Sequence, residues 1–306
     1  MSQSSVGKGA STGAAALAYF ILGASSLFWK LLAGIPSPVL LGYRIVVSLV
    51  TLCLTTLLLA RFRNLLRLAT KPKVLLVHLA AAVLVCINWL TFIWGSISGH
   101  VLETGIGYLL APAVTIFIGA GIVRERLGVL RACSLGLCVL GLALLIARSV
   151  ELKSWIYLTI GLTWGTYGFL KKLTEADPIS GLTLETSMLA VGVACVVATT
   201  HYTLALPPST GVMQIGLLCA CGTVSVVPLW LLSFAVQKIS LSTAGFLQYI
   251  LPSTQFVVAI VFYGQMPSAN TTMCFLVIWS SLTLVVGQSI LQRLRTGGPV
   301  RTEAGR

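Results

Sequence analysis

The feature that most limits what this chain can become is a series of apolar runs near twenty residues long, spread from one end to the other. About 20 residues rising about 1.5 Å each cross the roughly 30 Å of hydrocarbon in a bilayer as a helix. In that layer the backbone must satisfy its own hydrogen bonds, which a helix does within one segment. A transmembrane barrel would instead show shorter stretches of alternating polarity, a pattern this sequence does not carry. Soluble chains hold about 25% charged residues. Here the figure is 9%, with a mean hydropathy of +0.98.

The runs predict ten spans, about 14–35, 38–60, 74–97, 101–123, 128–148, 154–173, 179–203, 212–236, 241–264 and 269–292. The separators are breakers: Pro36 and Pro38, Pro207 and Pro208, Pro267, and a basic loop from Arg61 to Lys73. The first apolar run is too long for a signal-peptide core and is expected to stay as a span. All eight cysteines lie inside apolar runs without metal-ligand spacing, so they read as small packing residues.

Lysine and arginine set the orientation. With the N-terminus inside, sixteen of the twenty fall on the inner side. They are Lys8, the Arg61–Lys73 loop, Arg124, Arg126 and Arg131, Lys171 and Lys172, Lys238, and the tail after residue 292. Only Arg148 and Lys153 fall outside, while Lys30 and Arg44 sit in or at the edge of spans. Both termini are therefore expected in the cytoplasm. The net charge of +13 reflects topology and affinity for anionic lipid rather than nucleic-acid binding.

The segment from Glu103 to Arg126 recurs 140 positions later, from Thr243 to Met266. Gly105 falls on Gly245, Pro112 on Pro252, and Arg124-Glu125 on Gly264-Gln265. At a similar offset Lys30 answers Lys171, and Arg44 answers Glu185. Five spans per half is odd, so the second half must enter the membrane inverted. The expected fold is an all-α polytopic membrane protein of ten transmembrane helices in two inverted five-helix repeats, 14–148 and 154–292, around a central cavity. Polar tails at 1–13 and 293–306 flank it. Such repeats are a transporter architecture, with the site near mid-membrane between the halves. With no nucleotide-binding GxxxxGK[ST] loop, the expected class is a secondary carrier.

Charges inside spans cost about 2.5–3.5 kcal/mol each at a span centre unless they find a partner or a wet cavity. Arg44 and Glu185 each lie about six residues into their spans, roughly 9 Å deep. Arg44 also has the option of snorkelling to the surface. In the inverted topology the two differ by roughly 12 Å in depth, which disfavours a bridge between them. The expected gating or coupling layers are Arg44 with Glu103 and Lys30 on the outer side, and Glu185 with Lys171, Lys172 and Lys238 on the inner. His78 reads as structural or interfacial.

At mid-membrane, Asn88 and Phe92 share a helical face. Asn88 reads equally as an interhelical hydrogen bond or a ligand contact, and Trp89, Phe92 and Trp94 as packing or cavity aromatics. Pro112 and Pro252 release the carbonyls of Tyr108 and Gln248, and with Pro228 are candidate hinges. The glycine pairs Gly161/Gly165 and Gly95/Gly99 have the spacing of close helix contacts. Asn270 to Thr272 is a formal glycosylation sequon.

These residues resemble the RarD-type branch of the drug/metabolite transporter superfamily, the EamA permeases. The resemblance runs from about residue 17 to 292. It is carried by Trp29-Lys30, Arg44 with Ser48, Asn88-Trp89 with Phe92 and Trp94, Leu102-Glu103 with Tyr108 and Pro112, Tyr167-Gly168 with Lys171-Lys172, Leu184-Glu185-Thr186, Pro228-Leu229, and Gln248-Tyr249 with Pro252. The family's Gly-Glu turn reads Arg124-Glu125 here, and Gly264-Gln265 in the second copy. The resemblance implies an inner-membrane, alternating-access permease for a small amphipathic metabolite, amino acid or drug, in a branch commonly labelled chloramphenicol-sensitive. The candidate cavity residues are Asn88, Trp89, Phe92, Tyr108, Trp164, Tyr167, Gln248 and Tyr249. No cofactor or metal is expected, and monomer or homodimer stays open. The competing classes are an intramembrane enzyme and a membrane scaffold. Against the enzyme, the sequence holds no HExxH, and its two intramembrane acids are expected at opposite depths.

Overall fold

Proline and glycine punctuate the chain much as turn chemistry requires. A computed structural model describes residues 3–122, 129–149, 151–174, 176–200, 202–236, 247–280 and 283. Among them run eleven helices: α1 (Gln3–Lys30), α2 (Ser37–Leu58), α3 (Phe62–Ala69), α4 (Pro72–Ile97), α5 (Val101–Ile122), α6 (Val129–Arg148), α7 (Ser154–Lys172), α8 (Pro178–Thr200), α9 (Val212–Val236), α10 (Ile250–Tyr263) and α11 (Ala269–Ser280). Pro38 and Pro72 open α2 and α4 in the first turn, where no N–H partner is lost. Gly264 closes α10 in the left-handed conformation, φ 64°. Six helical stretches are long and apolar enough to cross a membrane: Ala10–Lys30, Ser37–Leu58, Pro72–Ile97, Val101–Gly119, Ile179–Thr200 and Val212–Leu232. Shorter apolar stretches are Val139–Arg148, Ile250–Tyr263 and Ala269–Ser280.

The polar start of the chain is helical from Gln3 and continues without a break into the apolar run. Two local expectations are corrected. The basic loop from Arg61 to Lys73 contains α3, whose Leu68 is buried while Phe62 and Leu66 face outward. Within the ninth expected span the backbone turns at Gln248 and Tyr249, and α10 starts only at Ile250. The Arg124–Arg126 turn, Lys238, residues 241–246 and the 293–306 tail lie outside the described residues, as does the Lys172 side chain.

Burial runs opposite to that of a soluble protein. Arg44, His78, Asn88, Glu103 and Glu185 are buried, whereas Leu57, Leu58, Val191, Val261 and many other large apolar side chains are exposed. An exposed apolar surface of that extent belongs against lipid.

Small residues set the closest approaches. Among the described residues the most extensive helix contact joins α5 and α7. A methyl group at Gly165 would lie 2.6 Å from the Ala111 carbonyl oxygen, and one at Gly107 only 2.5 Å from Ile160 Cβ. Gly161 and Gly165 therefore pack as their spacing predicts. Of the other pair, Gly95 makes such a contact, with an added methyl 2.7 Å from Thr104 Cγ2 of α5, while Gly99 (φ 76°) ends α4 in a turn. The repeated segments also meet, since Gly105 of α5 packs on Gln255 of α10.

Candidate substrate cavity

Val85, Trp89 and Phe92 recur at helical spacing, so they share one face of α4 and point together at the centre of the molecule. Tyr108 from α5, Trp164 and Tyr167 from α7, and Arg44 from α2 converge on the same point. Leu22, Ser25, Leu182, Leu229 and Leu251, from α1, α8, α9 and α10, close the remaining walls. The cavity measures about 40 Å³, room for about three waters at the roughly 10–15 Å³ each needs. Its aromatic wall is continuous. Phe92 meets Tyr108 edge-on at 6.0 Å, Tyr108 meets Trp164 edge-on at 5.6 Å, and Trp164 stacks on Tyr167 at 5.4 Å.

Arg44 is the one charged side chain among the lining residues, and it is 6% exposed. Its guanidinium sits over the Trp89 ring at 4.0 Å and near the Trp29 ring at 5.3 Å. The Nε and Nη1 atoms are buried with no hydrogen-bond partner. The expected layer of Arg44, Glu103 and Lys30 is not formed, because each has other neighbours. The Glu103 carboxylate, buried in the first turn of α5, contacts His100 Nδ1 at 2.8 Å and accepts from Gln265 Nε2. Lys30 donates to the Phe262 carbonyl and lies 4.3 Å over the Tyr263 ring. Helix rotation and local spacing, which equal depth does not encode, direct these groups apart.

The inner cluster keeps its expected core and gains a member. Glu185 accepts from Lys171 Nζ at 2.7 Å and from the Tyr167 hydroxyl at 3.0 Å, and its Oε1 lies 2.6 Å from His78 Nδ1. His78 reaches Thr174 through Nε2 at 3.0 Å. Gly181, one turn before Glu185 on α8, makes the space: a methyl group there would lie 2.8 Å from His78 and 2.9 Å from Lys171 Nζ. Tyr167 belongs to both the cavity wall and this cluster, so the carboxylate is wired to the cavity through one hydroxyl. His78 is completely buried and holds both Glu185 and Thr174, the structural role among those expected for it. The clue in the sequence was a histidine in an apolar run with an intramembrane acid left to match.

Asn88 makes interhelical hydrogen bonds. Its amide donates to Thr163 Oγ1 at 3.0 Å and its carbonyl accepts from the Tyr108 hydroxyl at 3.0 Å, joining α4, α5 and α7 behind the cavity. Gln248 and Tyr249 are half-buried and lie outside the cavity lining. Pro112 and Pro228 are inside α5 and α9 as expected for kinks. Pro252 is instead in the first turn of α10, and the Gln248 carbonyl accepts the Leu251 N–H at 3.3 Å.

No family model matches the chain. It is 31% identical over 278 residues to Protein RarD of Salmonella typhimurium, covering 89% of this chain and 93% of that protein. The chain belongs to the RarD-type branch of the drug/metabolite transporter superfamily. An uncharacterized transporter of Vibrio cholerae is 30% identical over 270 residues, 87% of this chain and 88% of its own. A solved structure titled only as a crystal structure of a protein superposes with a TM-score of 0.59 at 13% identity, over 90% of this chain and 96% of the other, a likeness of fold alone. Membership in the RarD-type branch and the apolar helices make this chain a multi-pass membrane protein of the transporter class.

Proposed function

We propose that the chain is a secondary transporter that exposes its central cavity alternately to the two sides of the inner membrane. It exports a small amphipathic metabolite, amino acid or drug such as chloramphenicol. The observation that carries this reading is the central cavity, walled by aromatics and holding a buried cation that forms no ion pair among the described residues. In this reading the ten spans form five-helix halves of opposite orientation, 14–148 and 154–292, with both termini cytoplasmic. Anionic lipid binds the basic inner loops. At about 40 Å³ the cavity is smaller than the roughly 300 Å³ of a drug-sized site, so it widens when it takes up substrate.

Glu185 is the coupling charge of this cavity, joined to it through the Tyr167 hydroxyl and held by His78 and Lys171. The test is a metabolite screen in liposomes, loaded and empty, with and without a pH gradient. The expected result is accumulation of particular solutes driven by the gradient. In Glu185→Gln the gradient-driven accumulation is lost while solute-for-solute exchange persists. Liposomes that move no solute in either direction would overturn the transporter reading.

A further inference from the structure

We infer that Arg44 is the docking point for a monoanionic substrate group, a carboxylate attached to a flat apolar body. The inference rests on the transporter reading and names its substrate class. An isolated cation buried in apolar surroundings carries a desolvation penalty of several kcal/mol that a partner must offset. For Arg44 no such partner exists among the described residues: it forms no ion pair, Nε and Nη1 are unsatisfied, and its contacts are the faces of Trp89 and Trp29. The two intramembrane acids are already engaged, Glu185 by Lys171, His78 and Tyr167, and Glu103 by His100 and Gln265. The planar fork of a guanidinium matches a carboxylate with two parallel N–H donors. One uncompensated cation balances one negative charge, so a monoanion fits where a phosphate dianion leaves excess charge. Next to Arg44, the Phe92–Tyr108–Trp164–Tyr167 wall offers ring faces and edges to the rest of the molecule. The faces of Trp89 and Trp29 hold the guanidinium in place by cation–π contact.

The test uses the full chain purified in detergent, with binding read by tryptophan fluorescence and by thermal stabilisation. Three probes share one ring: phenylacetate, its neutral amide phenylacetamide, and phenyl phosphate as a dianion. The wild type is expected to bind phenylacetate about tenfold or more tightly over the amide, the ratio that one charge-assisted hydrogen bond supplies. It also prefers phenylacetate to phenyl phosphate. Arg44→Gln removes the preference between acid and amide, and Arg44→Lys keeps part of it. Circular dichroism and melting temperature establish that each variant is folded. The wild-type comparison of acid with amide stands even if neither variant folds. Equal affinity of the wild type for acid and amide, no binding of phenylacetate at millimolar concentration, or an acid preference retained in folded Arg44→Gln overturns the site. Liposomes that transport neutral solutes while any of these holds leave the transporter reading intact. The two ideas therefore fail separately.

Discussion

Gln265 accepts the Leu102 N–H through Oε1 at 2.9 Å and donates through Nε2 to Glu103, so one side chain closes the first turn of α5 and satisfies its buried carboxylate. A glutamate at 265, the residue that the repeat and the family pattern call for, could accept but not donate. It would set two carboxylates in contact, and such a pair does not stay doubly ionised. Gln265→Glu is therefore expected to lower stability by about 1–3 kcal/mol at neutral pH. Melting in detergent checks this against Gln265→Leu, which loses the same hydrogen bonds without bringing a second carboxylate to Glu103. At this scale the sequence reveals which residues are out of place but not their partners. Arg44 and Glu185 stand out because a charge in an apolar run is costly wherever it points. That Arg44 faces Trp89 and Trp29 depends on the rotation of α2 against α4 and α1, which no spacing within α2 records.

Asp177 precedes α8 and ties it to α3. Its Oδ1 accepts from Arg61 Nη1 at 2.7 Å and from the Ser180 N–H at 3.2 Å, and its Oδ2 from Asn64 Nδ2 at 2.8 Å. Burial opposes ionisation of this carboxyl, but the Ser180 and Arg61 hydrogen bonds outweigh it and hold it below its ordinary value of 3.8. A carboxylate with a depressed folded value adds stability above its unfolded value, and that stability is lost as pH falls through the folded one. Asp177→Asn, which keeps an acceptor for the cap, is thus expected to melt below the wild type at pH 7. The gap begins to narrow as pH falls below about 4 and closes once pH has passed the folded value, where both are uncharged. Asp177→Ala loses the cap as well, for about 1 kcal/mol more. Element boundaries were legible wherever proline or glycine marks them, as at α2, α4 and the end of α10. Pro252 shows the limit. A proline at mid-helix and one in a first turn look alike in sequence, and only the turn at Gln248 and Tyr249 tells them apart.

At the scale of the molecule, alternating access needs a seam that opens, and the helix contacts differ in how readily they could part. The α5–α7 seam is backbone against backbone at Gly107 and Gly165, a fit that gains from staying closed. The α5–α10 seam joins the two copies of the repeated segment, and both copies wall the cavity through Tyr108 and Leu251. It also buries Gln255 with neither Oε1 nor Nε2 hydrogen-bonded among the described residues, a cost that water would relieve on opening. A moving surface is expected there and not at α5–α7. A methyl group at Gly105 would lie 3.2 Å from Gln255 Cβ, close to the roughly 3.5–4.5 Å that a disulfide spans between Cβ atoms. With the eight native cysteines replaced, Gly105→Cys combined with Gln255→Cys should crosslink on oxidation, stop solute movement in liposomes, and recover it on reduction. Full transport by the crosslinked protein would place the motion at another seam. Arrest without loss of probe binding in detergent would show that the lock acts on the change of access and leaves the cavity intact.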